Sequence, residues 1–221
     1  MKLKLLFSFV ILLSCADAHS QPGYKQNFSD LATIAFPDTP KTTNNSGTIT
    51  YKTTSDSNSY IVLVIDLQGK TTLSSAADLD TFYQGVIEGT VNPAKHTEII
   101  YRKNILLEGQ KALEFEYSFR ADPSKTAFVY QRCVFFNNKA FAIMFATFNN
   151  KQTNNITLKD KFLNSFSITA DKKTTRQFSN TSNLAYILGH ALGKFFAYAL
   201  IIGMLLLIVT LIRKKTMKTV S

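Results

Sequence analysis

Few residues in this chain have the types and spacing that chemistry requires: three histidines, two cysteines and two short acidic pairs. A Cys-His or Ser-His-Asp catalyst needs a base beside its nucleophile. His19 and His190 sit at the two ends of the sequence, so only His96 is placed to serve, in a loop beside Pro93. Its partner would be Cys133, but Tyr130-Gln131-Arg132-Cys133-Val134 reads as mid-strand, where a cysteine behaves as a small apolar core residue. Glu114 and Glu116 have the i, i+2 spacing of an acid/base pair. On a strand that spacing puts both on one face, expected to be the wet one because Leu113, Phe115, Tyr117 and Phe119 fill the other. Asp78 and Asp80 fall in the first turn of an expected helix, where the helix dipole favours acids. No CxxC, HExxH, EF-hand or Gly-rich phosphate loop occurs. No catalytic, metal-binding or cofactor-binding residue is therefore assigned, and no cofactor is expected. Sequons at Asn27, Asn44, Asn155 and Asn180 matter only in a host that glycosylates exported proteins.

The two ends of the chain carry more information. Lys2 and Lys4, an apolar run from Leu5 to Leu13, and Ala16-Asp17-Ala18 have the layout of a secretory signal over residues 1–18. Leu12-Leu13-Ser14-Cys15 also has the look of a lipoprotein box, in which Cys15 would be lipidated. Leu13 is bulky for that position, and cleavage after Ala18 explains the same stretch without lipid. At the other end, 195–212 is uncharged and apolar all round, and 184–192 is largely apolar. Eighteen helical residues rise about 27 Å, enough to cross the hydrocarbon core. The reading is a single transmembrane helix within 184–212, its core at 195–212. Arg213, Lys214 and Lys215 then hold the basic tail 213–221 in the cytoplasm and leave the preceding domain outside. This placement accounts for half of the formal charge of +10, since 183–221 holds five cations and no acid. Such an excess sets topology and is not a nucleic-acid footprint. Ala185, Gly189, Gly193 and Ala197 recur every four residues, a small-residue face that permits helix–helix contact and a homodimer through the membrane helix.

Between the ends, 45% hydrophobic content with 18 Phe and 9 Tyr indicates a packed core and excludes disorder, while two cysteines exclude a disulfide scaffold. The folded domain is expected over 24–169, with a polar tether at 170–183. Strands are expected at 31–36, 48–52, 60–67, 98–107, 112–119, 127–136 and 140–148. Of these, 60–67 is apolar on both faces and so central. Glu108-Gly109-Gln110 and Asn137-Asn138-Lys139 are the turns of two hairpins. One helix starts at the capping sequence Ser75-Ala76-Ala77-Asp78 and stops at Gly89; another begins near Thr157. Short links and a majority of strands give an α+β fold, a mostly antiparallel sheet flanked by helices.

Phe36-Pro37 with Pro40, the capped helix, the Gly-marked strand pair, the aromatic hairpin and Phe162-Leu163-Asn164-Ser165-Phe166 come in an order that resembles the PsbP-like superfamily. The resemblance covers 24–169 and rests on packing and turn residues. It implies an antiparallel sheet flanked by helices, used mainly as a binding or assembly module, with small exported bacterial proteins as the nearest members. It carries over no active-site residue. The reading that follows is a non-catalytic, membrane-anchored extracytoplasmic module that binds an envelope protein, with no nucleic-acid partner. The alternative is a carrier of a small molecule or lipid, with Phe128, Tyr130, Phe135, Phe136, Phe141, Phe145 and Phe148 lining an apolar pocket under the hairpin.

Overall fold

A computed structural model describes residues 23–45, 47–67, 73–92, 97–122, 125–150, 153–171, 173–178, 189–198 and 200. The signal-like segment 1–18 with Cys15, His19, the loop carrying His96, Ala185, the apolar run 201–212 and the tail with Arg213, Lys214 and Lys215 lie outside the described residues.

Seven strands form one antiparallel sheet: β3 (Lys41–Asn45), β4 (Thr48–Ser55), β5 (Asn58–Asp66), β6 (Glu98–Leu107), β7 (Gln110–Asp122), β8 (Lys125–Phe136) and β9 (Lys139–Thr147), in the order β3-β4-β5-β9-β8-β7-β6. A small second sheet holds β1 (Tyr24–Phe28), β2 (Ala32–Phe36) and β10 (Ser167–Ile168), ordered β1-β2-β10. The helices are α1 (Ala76–Val91), α2 (Thr153–Asn164) and α3, helical at 189–198 and 200. The α+β, mostly antiparallel architecture expected from the sequence is present.

Tight turns set the registers. Asp56-Ser57 and Asn137-Asn138 each place two consecutive residues at positive φ, and Glu108-Gly109 does the same with a glycine second. Two left-handed residues in a row match the twist of the flanking strands, which is why such turns close hairpins. At the start of α1, Ser75 Oγ accepts the Asp78 N–H at 3.1 Å, and the Asp78 carboxylate accepts from the backbone of Ser74 at 3.0 Å and from its hydroxyl. The α1 helix runs past Gly89 to Val91, so Gly89 is not its stop.

Both faces of the large sheet are covered. Ile61, Leu63 and Ile65 of β5 face α1 and α3, whereas Tyr60, Val62 and Val64 face α2 and the small sheet. That two-sided burial explains the unbroken apolar run in β5. On β9, Ala140, Ala142 and Ala146 point toward the α1–α3 side, and their small side chains let the two helices lie close to the sheet. Strand alternation also divides the aromatic hairpin. Phe135 and Phe148 pack on the α1 side, while Phe128, Tyr130, Phe136, Phe141 and Phe145 pack on the α2 side. The seven rings proposed to line a single pocket thus stand on opposite sides of the sheet, because successive strand residues must.

The two sequence signatures that carry the family resemblance meet in space. Phe36 and Phe162 pack with ring centroids 5.4 Å apart, and Ser165 Oγ accepts the Ala35 N–H at 3.0 Å while donating to Phe162 O at 2.7 Å. These contacts lock the end of α2 onto β2.

Candidate functional site

Three features combine polar groups with defined geometry. The first is the face of β7 that was expected to be wet. Glu114 and Glu116 are buried, at 5% and 8% exposure, because α2 and the small sheet cover that face. Glu114 lies 2.8 Å from Lys103 Nζ and 2.5 Å from Arg132 Nε, and it accepts from Tyr101 Oη at 3.2 Å. Arg132 also donates through Nη1 to Leu163 O and Asn164 Oδ1, both at 2.9 Å. Burial opposes the Glu114 carboxylate, but the hydrogen bonds and charges of Lys103 and Arg132 outweigh it and hold its pKa below the ordinary range. Glu116 moves the other way: burial raises its pKa, and the hydrogen bond from Tyr130 and the charge of Lys159 only partly offset that. Glu114 is fully engaged, so this cluster ties α2 to β6, β7 and β8. Glu114 therefore offers no free carboxylate to a substrate.

The second feature lies inside the α1 half of the core. Gln131 Nε2 donates to Cys133 Sγ at 3.1 Å, while Gln131 Oε1 and Tyr117 Oη are buried without a protein partner. Groups of this kind suit an internal water. Burial pushes the Cys133 thiol up to about 12, so the cysteine considered as a nucleophile is an un-ionised core residue.

The third feature is a surface groove of about 540 Å³ where the β6–β7 hairpin meets residues 175–178. Leu106, 70% exposed, and Phe178, 39% exposed, stand beside Lys111 and Arg176, with Ala76 at the first turn of α1 closing one end. A bulge between Ile99 and Tyr101 shifts the β6 register, so Leu106 pairs with Lys111 on the α1 side of the sheet. The floor is rigid. Gln177 accepts the Lys111 N–H at 3.0 Å and donates to Lys111 O at 2.7 Å and Phe135 O at 2.9 Å. Arg176 is held in the same way, its N–H donating to Asn137 Oδ1 at 2.8 Å. Within the polar stretch expected as a tether, residues 176 and 177 therefore bond to the domain.

The small-residue face has a visible partner at two of its four positions. Gly189 packs on Phe82 of α1, and Gly193 packs on Val86 and Thr90, backbone against backbone. Gly89 answers from α1, against His190 and Lys194. Ala197 is buried. Among the described residues no cluster of three or more His, Cys, Asp or Glu side chains could hold a metal ion.

No protein-family model matches this chain, and no curated protein matches it. Solved structures do. A cyanobacterial PsbP from Synechocystis shares 14% identity at a TM-score of 0.49, covering 70% of this chain and 96% of that one. LpqN of Mycobacterium tuberculosis, described as involved in cell envelope biogenesis, shares 14% identity at a TM-score of 0.42, covering 69% of this chain and 88% of its own. PA94 of Pseudomonas aeruginosa, a protein of unknown function, shares 12% at a TM-score of 0.38, over 63% and 89%. At these scores the likeness carries neither activity nor site residues to this chain. The groove residues Leu106, Lys111, Arg176 and Phe178 were not singled out from sequence, since no local pattern brings position 106 to positions 176 and 178.

Proposed function

We propose that this protein is a non-catalytic, membrane-anchored extracytoplasmic module that binds another envelope protein through the groove at Leu106 and Phe178. The observation that carries the reading is the groove itself: two exposed apolar side chains flanked by two cations on a hydrogen-bonded floor. An apolar anchor inside a polar rim is the anatomy of a protein-binding surface. Lys111 and Arg176 select a segment that presents apolar side chains beside carboxylates. The signal-like start and the apolar run 195–212 with its basic stop support a position for the groove outside the cytoplasm and close to a membrane. Support for a non-catalytic role comes from the nucleophile and acids that are present: Cys133 is buried and un-ionised, and Glu114 is consumed by Lys103 and Arg132.

Site-directed photocrosslinking in native membranes tests this. A photoreactive residue at Leu106 is expected to give one dominant protein adduct, and the same residue at Lys41, exposed on β3 at the far edge of the sheet, none. Equal adducts at both positions, or none at Leu106, would contradict the proposal.

A further inference from the structure

The docking of α3 on α1 is a close crossing. A Cβ added to Gly89 would fall 2.7 Å from His190 C, one on Gly189 2.9 Å from Phe82 C, and one on Gly193 2.6 Å from Thr90 N, with carbonyl oxygens nearer still. All three positions require glycine because backbone meets backbone there. Thr90 Oγ1, which donates to Val86 O at 2.7 Å, lies 3.3 Å from Gly193 O and ties the helices across the crossing. Leu192, Phe196 and Leu200 enter the same core as Phe82 and Val86.

Phe196 and Leu200 also belong to the run 195–212 that is long enough to span a membrane. With Phe196 and Leu200 in the domain core, the apolar run has only the twelve residues 201–212 beyond them. A helix of twelve residues rises about 18 Å, against a hydrocarbon core of about 30 Å. The side chains at 196 and 200 cannot fill the domain core and face lipid at the same time.

We propose that docking of α3 on α1 and complete spanning by 195–212 are mutually exclusive states, with the Gly89–Gly189–Gly193 crossing setting the balance between them. The side chains of α3 leave water in either state, but release uncovers the faces of Phe82 and Val86 that they cover, so this burial favours docking while completion of the span favours release. The backbone packing at the glycines and the bond from Thr90 add to the docked side. In the docked state the twelve residues that follow are too few to cross the bilayer before Arg213-Lys214-Lys215 is reached. Release of α3 completes the span and carries that basic stop across. The inference rests on the reading of 195–212 as a membrane segment.

Tyr198 reports the state directly, because it is 55% exposed on the docked helix and a label there leaves the crossing untouched. Full-length protein carrying an environment-sensitive fluorophore at Tyr198→Cys, with Cys133→Ser, is reconstituted into vesicles of phosphatidylethanolamine and phosphatidylglycerol. Quenching by aqueous iodide and by doxyl-labelled lipid is then compared between the native crossing and Gly89→Leu, which blocks docking without altering the apolar run. Gly193→Leu repeats the test from the other helix, so poor folding of one variant does not decide it. The expected result is loss of iodide quenching and gain of doxyl quenching in both variants. Unchanged quenching in alkali-resistant, membrane-bound protein would overturn the inference while leaving the anchor in place. Complete release of every variant from the vesicles by alkaline carbonate would overturn both.

Discussion

Glu114 and Glu116 stand two residues apart on one strand, yet their surroundings drive them in opposite directions. Two cations stabilise the Glu114 carboxylate, while Glu116 has a tyrosine hydroxyl and a more distant lysine. Because burial raises the folded pKa of Glu116, the folded state binds its proton more readily than the unfolded state does. Its carboxylate therefore costs stability above that pKa, and the cost vanishes once both states are protonated. Glu116→Gln is expected to be more stable than the native protein at pH 7, with the difference closing as pH falls below the ordinary carboxyl value of 4.5. Urea titrations at several pH values measure it. Tyr117 offers a second test at this scale. Its hydroxyl is buried without a protein partner, so Tyr117→Phe is expected to raise stability by about 1 kcal/mol. A loss of stability on thermal unfolding would show that the hydroxyl has a partner. Neither behaviour was legible in the sequence. Alternation placed both glutamates correctly on the face opposite Phe115, but only the tertiary position of α2 decides whether that face meets water.

At the scale of elements, legibility followed local chemistry. Gly109 and the Asn137-Asn138 pair announced their turns because these residue types accept positive φ cheaply. Asp56-Ser57 turns in the same way but carries no such residue-type signal, and it joins strands that extend beyond 48–52 and 60–67 to meet at Ser55 and Asn58. The β3 strand, Lys-Thr-Thr-Asn-Asn, has no strand signature in the sequence because an exposed edge strand needs no apolar alternation. From sequence Gly89 reads as a helix stop, since a glycine after an apolar period gives the same signal whether it ends a helix or lets another cross it. Ser57, at φ 63, occupies the second left-handed position of its hairpin, where glycine carries no steric penalty. Ser57→Gly should stabilise the domain by about 1 kcal/mol in denaturant titration. The same substitution at Ser59, fully buried within β5, should instead destabilise it.

For the whole molecule, the layered α+β fold was accessible from the sequence because periodicity, turns and caps agreed with one another. The groove was not, since it joins the tip of one hairpin to residues some seventy positions later. Its location links fold to function: the stretch 175–178 that completes it leads on toward α3 and the apolar run. Under the proposed anchoring, a partner seated between Leu106 and Phe178 is held close to the membrane. The most direct test of the binding role is affinity purification from crosslinked native membranes, comparing the intact protein with the same domain carried on an unrelated membrane anchor. The account predicts one reproducible protein partner retained by both and lost from each when Leu106→Asp is introduced. A partner lost with the anchor exchange, or one indifferent to Leu106→Asp, would contradict it.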